Sequence, residues 1–227
     1  MIRIAFAFAA LLALLPTLPS AQTLTAPPVD EAQTNEGFLA YREKLLKAVV
    51  ARDVDTILSL ADEDIHLSFG GSAGHAAFRE FLEVDPETFA PEFRHEAPAM
   101  RERNWTDLET VLRMGGVFNS EGQFIAPYTF AIDPPAEWDT FEVMIVTGSG
   151  VALRKRPIKY AEVVGRLDYD VVRHLHWVSG TNYVEIARAD GSTGFVHRGY
   201  LRSLVDYRAI FRKTDSGWKM GTFIAGD

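Results

Sequence analysis

The hydrophobic pattern of this chain changes period at "IDPPAEWD", Ile132 to Asp139. Before it, apolar residues recur at helical spacing. Phe38, Tyr41, Leu45, Leu46 and Val49 share one helix face, and Val54, Ile57, Leu58 and Ala61 form the stripe of a second, shorter helix that Asp53 can cap. From Phe141 onward, short strand-like runs are separated by Gly- or Asp-rich turns, with little helix. Helices and strands grouped in separate stretches point to an α+β chain.

Other stretches of the first half add elements. "DIHLSFGG" alternates, with Ile65, Leu67 and Phe69 on one side and Asp64, His66 and Ser68 on the other, as in a half-buried strand. "GGSAG" is a turn into a third helix, "HAAFREFL". Val84 to Ala99 holds Pro86, Pro91 and Pro98 among several acids and reads as an irregular surface excursion. "TDLE", Thr106 to Glu109, has capping-box spacing and predicts a helix through Met114, stopped by Gly115 and Gly116. "GVFNSEGQFIAPYTF" predicts a hairpin turning at Asn119 to Gly122.

The N-terminus has the order of a signal peptide over residues 1–21: Arg3, an apolar run from Ile4 to Leu15, helix-breaking Pro16 and Pro19, then small Ser20 and Ala21. The apolar run is too short to span a bilayer. The expected mature protein is periplasmic or secreted, with no stable membrane anchor after cleavage. Residues 22–36, polar and proline-containing, read as a flexible leader. The whole chain carries 31 acidic and 23 basic side chains, a formal charge of −8. That balance argues against nucleic-acid binding, which needs a basic footprint. There is no cysteine, so thiol nucleophiles, Cys-ligated zinc and disulfides are all excluded.

Three stretches after the boundary carry a resemblance. They are "VALRKRP" (Val151 to Pro157), "VVGRLDYDVVRHL" (Val163 to Leu175) and "DGSTGFVHRGYL" (Asp190 to Leu201). In order they give an apolar-x-apolar-Arg strand before Pro, an apolar-Gly-x-Leu strand with its turn and partner, and an Asp-Gly-x-x-Gly-aromatic-Val strand with a one-turn helix ending in Tyr-Leu. Residues 142–203 thus resemble the bacterial SH3-like (SH3b) family. The resemblance implies a small β-barrel of about sixty residues and a binding rather than a catalytic role. Its implied partner is a cell-envelope peptide, glycan or protein. Ala152, Arg156, Tyr183 and Phe195 depart from residues common in that family. The candidate ligand-binding residues are Tyr160, Tyr169, Trp177, Tyr183 and Tyr200.

The tail "DYRAIFRKTDSGWKMGTFIAGD" is a hairpin and resembles the last strand pair of NTF2-like α+β domains. The opening "FLAYREKLLKAVVARDVDTILSLADEDI" and "HAAFREFL" are similar to the helices of that family. The expected fold is therefore α+β: NTF2-like helices and antiparallel sheet over 37–140, completed by hairpin 206–227, with the SH3-like barrel of 142–203 inserted. Two sequential domains are the alternative. In the insertion, Tyr207, Trp218 and Phe223 are expected to pack on Phe38, Leu45 and Phe69.

Three constellations bear on chemistry. His174 and His176 alternate onto one strand face, a spacing that metal sites use with a third ligand such as His197 or Asp170. The competing and favoured reading is a solvated face, so no metal or other cofactor is expected. His66 with Asp64 is a possible pocket pair, a general base with its orienting acid, or a surface pair. "GGSAGH" can offer amides to an anion but lacks a P-loop ending. The sequence thus favours a non-catalytic exported binding protein. An enzyme or small-ligand carrier using the NTF2-like domain is the alternative.

Overall fold

The computed structural model describes residues 24–226; the expected signal peptide lies outside them. Among the described residues the chain is α+β, with four α-helices, a mixed five-stranded sheet and an antiparallel seven-stranded sheet.

Helix α1 (Glu36–Ala51) starts where Asn35 Oδ1 accepts the Phe38 N–H at 3.0 Å, and α2 (Val54–Leu60) starts where Asp53 Oδ1 accepts the Thr56 N–H at 3.0 Å. Helix α3 (Gly74–Glu83) follows the glycine turn. Helix α4 (Ala97–Arg113) corrects the expected start at Thr106. Pro98 sits in its first turn, where a missing N–H costs no hydrogen bond. Thr106 is interior, its hydroxyl donating to the Glu102 carbonyl at 2.8 Å rather than capping. The excursion read over Val84 to Ala99 is accordingly shorter, and two short 3-10 turns (Pro86–Thr88 and Pro91–Glu96) organise it.

The five-stranded sheet runs β1 (Ala61–His66), β12 (Gly217–Ile224), β11 (Arg208–Thr214), β3 (Phe124–Ala126), β2 (Val117–Phe118). Strand β1 pairs parallel with β12 and the other pairs are antiparallel, so the sheet is mixed rather than antiparallel throughout as expected. The β2–β3 turn is held by Asn119 Oδ1, which accepts the Glu121 and Gln123 N–H groups. The helices bury their apolar stripes on this sheet. Phe38, Leu45, Ile57, Phe78 and Leu108 are fully buried against Phe124, Phe211, Met220 and Phe223. Phe69 is not among them. Strand β1 ends at His66, and Phe69 lies on the following turn, 64% exposed, beside the Arg208 guanidinium.

Strands β3 and β11 are direct neighbours in this sheet, and the whole second sheet lies between them in sequence. Its order is β10 (Leu201–Ser203), β4 (Val143–Val146), β7 (Val171–Trp177), β8 (Tyr183–Ala187), β9 (Thr193–His197), β5 (Val151–Arg154), β6 (Val163–Leu167). Among the described residues β10 and β6 are the unpaired ends of this ladder, which differs from the closed barrel expected. Strand β10 is only three residues long, and the chain leaves it for β11 of the other sheet. Val146, Leu153, Leu167, Val172, Ile186 and Val196 share one core, on which Leu201 of β10 also packs.

The turn between β8 and β9 is built by Asp190, whose carboxylate accepts the Ser192 N–H and hydroxyl, and by Gly191 at φ +83°. Gly194 lets β9 approach β5. A Cβ there would stand 2.8 Å from Leu153 side-chain atoms.

Residues 24–36 do not form the flexible leader that composition suggests. The Ala26 N–H donates to the Tyr169 carbonyl at 2.8 Å, and the Leu24 carbonyl accepts the Val171 N–H at 2.8 Å. The Glu31 N–H donates to the Gly116 carbonyl at 2.9 Å. Ala26 is buried with Val143, Ile145, Val171 and Leu204. Backbone pairing, which polarity scales do not register, ties this segment to both sheets.

Candidate functional site

The seven-stranded sheet brings four residues into a row. Tyr183 of β8 stands opposite His197 of β9. Arg154 of β5 stands opposite Phe195 of β9, so the antiparallel register brings Ala152 beside His197. Ala152 in turn stands opposite Arg166 of β6. Alternation turns Val151, Leu153, Val184 and Val196 into the core and these four outward. Three steps between neighbouring strands make the row about 14 Å long.

Rings gather at one end of the row. The Tyr183 and His197 rings meet edge-on at 5.5 Å, and Tyr200, on the 3-10 turn after β9, lies 6.2 Å from His197. His197 Nδ1 accepts the Gly199 N–H at 3.1 Å. The neutral imidazole therefore carries its proton on Nε2, as a donor. Cations gather at the other end. Arg166 Nη1 donates to the Gly150 carbonyl at 2.7 Å, and Arg154 Nη1 donates to the Ala161 carbonyl at 2.9 Å. Each bond tethers one guanidinium beside the row.

Row, rings and cations line a cleft of about 660 Å³, together with Lys159 and Asn182. Ala152 is the floor between the two ends, and its short side chain leaves the cleft open. None of the residues lining the cleft is Asp or Glu. The nearby carboxylate of Asp168 is occupied by the Ser149 hydroxyl and the Gly150 N–H, which hold it below the usual carboxylate range.

Of the five aromatic residues expected to bind ligand, the structure brings Tyr183 and Tyr200 together in this cleft. Tyr160 projects from the β5–β6 loop, 88% exposed, next to the Lys159 ammonium. Tyr169 occupies the β6–β7 turn at φ +57°, and its carbonyl holds the N-terminal segment. Trp177 ends β7, 56% exposed, with its ring 5.1 Å from that of His174. None of these three lines the cleft. Sequence reasoning missed Ala152, Arg154, Lys159 and Arg166, and it considered His197 only as a metal ligand. The alternation in "VALRKRP" was the available signal, since it sends Ala152 and Arg154 outward together.

Asp64 and His66 do share a depression, with Gln123, Arg212 and Thr222, on the five-stranded sheet. It measures only about 200 Å³. Arg212 dominates it, donating from Nε to Asp62 at 2.6 Å and standing 3.6 Å from Asp64. Among the described residues Asp64 makes no hydrogen bond to His66. The histidines of β7 are separated by a register irregularity. His176 Nδ1 lies 3.0 Å from Glu185, while His174 Nε2 is buried without a hydrogen-bond partner. Among the described residues no group of three or more His, Cys, Asp or Glu side chains is placed to hold a metal.

Comparison with protein-family models, with curated proteins and with solved structures found no match.

Proposed function

We propose that this chain is a non-catalytic binding protein of the cell envelope, exported to the periplasm or beyond, and that the cleft on the seven-stranded sheet is its ligand site. The observation that carries this reading is the outward row of Tyr183, His197, Ala152 and Arg166, which places ring faces and cations around one recess of ligand-sized volume. The seven-stranded sheet is then an SH3-like module in a partly open form. Both ends of its ladder, Leu167 of β6 and Leu201 of β10, pack on one core. A flat sheet would hold its edge strands about 29 Å apart, so the sheet must curl. The five-stranded sheet with its helices is read as an NTF2-like platform.

The alternative, an enzyme or small-ligand carrier using Asp64 and His66, gains less support. The space between helices and sheet is filled by Phe38, Phe124, Phe211 and Phe223. The depression holding Asp64 and His66 is smaller than the roughly 300 Å³ at which ligand pockets begin.

Co-sedimentation with isolated envelope fractions tests the proposal. The mature protein is expected to sediment with them, and Tyr183→Ala combined with Tyr200→Ala is expected to leave it in the supernatant with an unchanged circular dichroism spectrum. Equal sedimentation of the two proteins would remove the cleft from the account.

A further inference from the structure

We infer that the cleft takes an extended acidic peptide, with a carboxylate at the Arg166 end and an apolar or ring-bearing side chain at the Tyr183 end. The inference rests on the reading of this cleft as the binding site.

The sign of the ligand follows from the lining. The chain carries 31 acids against 23 cations, yet the cleft gathers Arg154, Lys159 and Arg166 and no acid. Among the described residues none of these three cations is in a salt bridge. Arg154 and Arg166 each use one N–H on a backbone carbonyl, and a guanidinium carries five. His197 adds an Nε2–H donor, because its Nδ1 is taken by Gly199. Of the neighbouring acids, Asp168 already accepts from Ser149 and Gly150, and Glu185, in the next outward row, lies 3.0 Å from His176 Nδ1. The cleft therefore offers donors and positive charge to whatever enters, and an anion meets that field while a cation does not.

The shape points to a peptide. A row about 14 Å long accommodates about four extended residues at roughly 3.3–3.6 Å each. The two ends differ in chemistry, with rings contributed by β8, β9 and the following turn, and cations by β5, β6 and the loop between them. A short chain with one apolar and one charged end matches that polarity. A repeating glycan would ask for the same groups along the whole row, and an anionic membrane for a projecting rather than a recessed basic surface.

The test uses the whole mature chain and two pools of N-acetylated tetrapeptides of randomised sequence, one with free carboxyl termini and one amidated. Bound peptides are identified by mass spectrometry, and their site is mapped by backbone amide chemical shifts. The selected peptides are expected to carry a carboxylate at one end and an apolar or aromatic residue at the other. Each free acid is expected to bind roughly tenfold or more tightly than its amide at low salt. Arg166→Gln should erase that preference, whereas Tyr183→Ala should weaken acid and amide alike. Equal selection of both pools without enrichment of Asp or Glu in the amidated one, with cleft amides shifting, would overturn the anionic ligand and leave the binding site standing. Shifts at the cleft with isolated wall glycan or phosphatidylglycerol vesicles, but with neither pool, would overturn the peptide and keep the site. No shift at the cleft with any of these would overturn both.

Discussion

The Trp218 ring of the closing hairpin meets the Phe38 ring of the first helix at 4.9 Å, inclined at 68°. Further pairs across the same seam complete the closure: Phe211 lies 5.4 Å from Phe38, and Phe81 of the third helix lies 5.6 Å from Phe223 and 5.7 Å from Tyr207. The last strands of the chain thus close the core that its first helix opens. Removing a large aromatic side chain from such a core costs about 3–5 kcal/mol, a large share of a domain's stability. Phe223→Ala and Trp218→Ala should each lower the unfolding free energy by that amount, read as a lower urea midpoint of helical unfolding, with the fully buried Phe223 the larger effect. Midpoints unchanged in both variants would contradict the packing.

The N-terminal segment should stabilise rather than trail. Ala26 is buried against Ile145 and Val171, and its amide is paired with Tyr169. A chain starting at Asp30 should melt measurably lower than one starting at Gln22, with near-ultraviolet circular dichroism reporting the change. Identical melting curves would show that the segment contributes nothing.

Much of the helical half is legible in the sequence because helix periodicity is local. Phe38, Tyr41, Leu45 and Val49 fall on one face and are all buried, and Asp53 caps as its position suggests. Helix α4 was misread because prolines dominate the local signal, although Pro98 suits a first turn. Phe69 was misplaced because alternation says nothing about where a strand ends. The cleft is the least legible part. Tyr183, His197, Ala152 and Arg166 become neighbours only through the register of four strands, and no local pattern encodes that register.

Gly194 tests how tightly β9 lies on β5. A methyl group there would come within 2.8 Å of Leu153 side-chain atoms and 3.0 Å of the Arg154 carbonyl. Gly194→Ala should cost about 1–3 kcal/mol by overpacking, read as a lower denaturant midpoint with an unchanged slope. Because Arg154 and Ala152 move with β5, ligand binding should weaken too. A neutral substitution would mean that the two strands are not held at this spacing.

His174 should make stability fall on acidification. Burial pushes its pKa below the ordinary histidine value; nearby Glu142 opposes the shift and His176 adds to it. The unfolded chain therefore takes up the proton first. Its contribution is complete above the unfolded pKa of about 6.5, declines as the pH drops through that value, and levels off below the folded pKa. Between pH 7 and pH 5 the melting temperature of the protein should fall more than that of His174→Phe, which fills the same space without titrating. Parallel curves would contradict the assignment.

The central claim is that ligand enters between the rings and the cations of the seven-stranded sheet. Its most direct measurement is a backbone amide shift map of the ¹⁵N-labelled mature protein titrated with solubilised envelope fragments. The account predicts saturable shifts centred on Ala152, Arg166, Tyr183, His197 and Tyr200. Shifts centred instead on Asp64, His66 and Arg212, or none at the row, would contradict it.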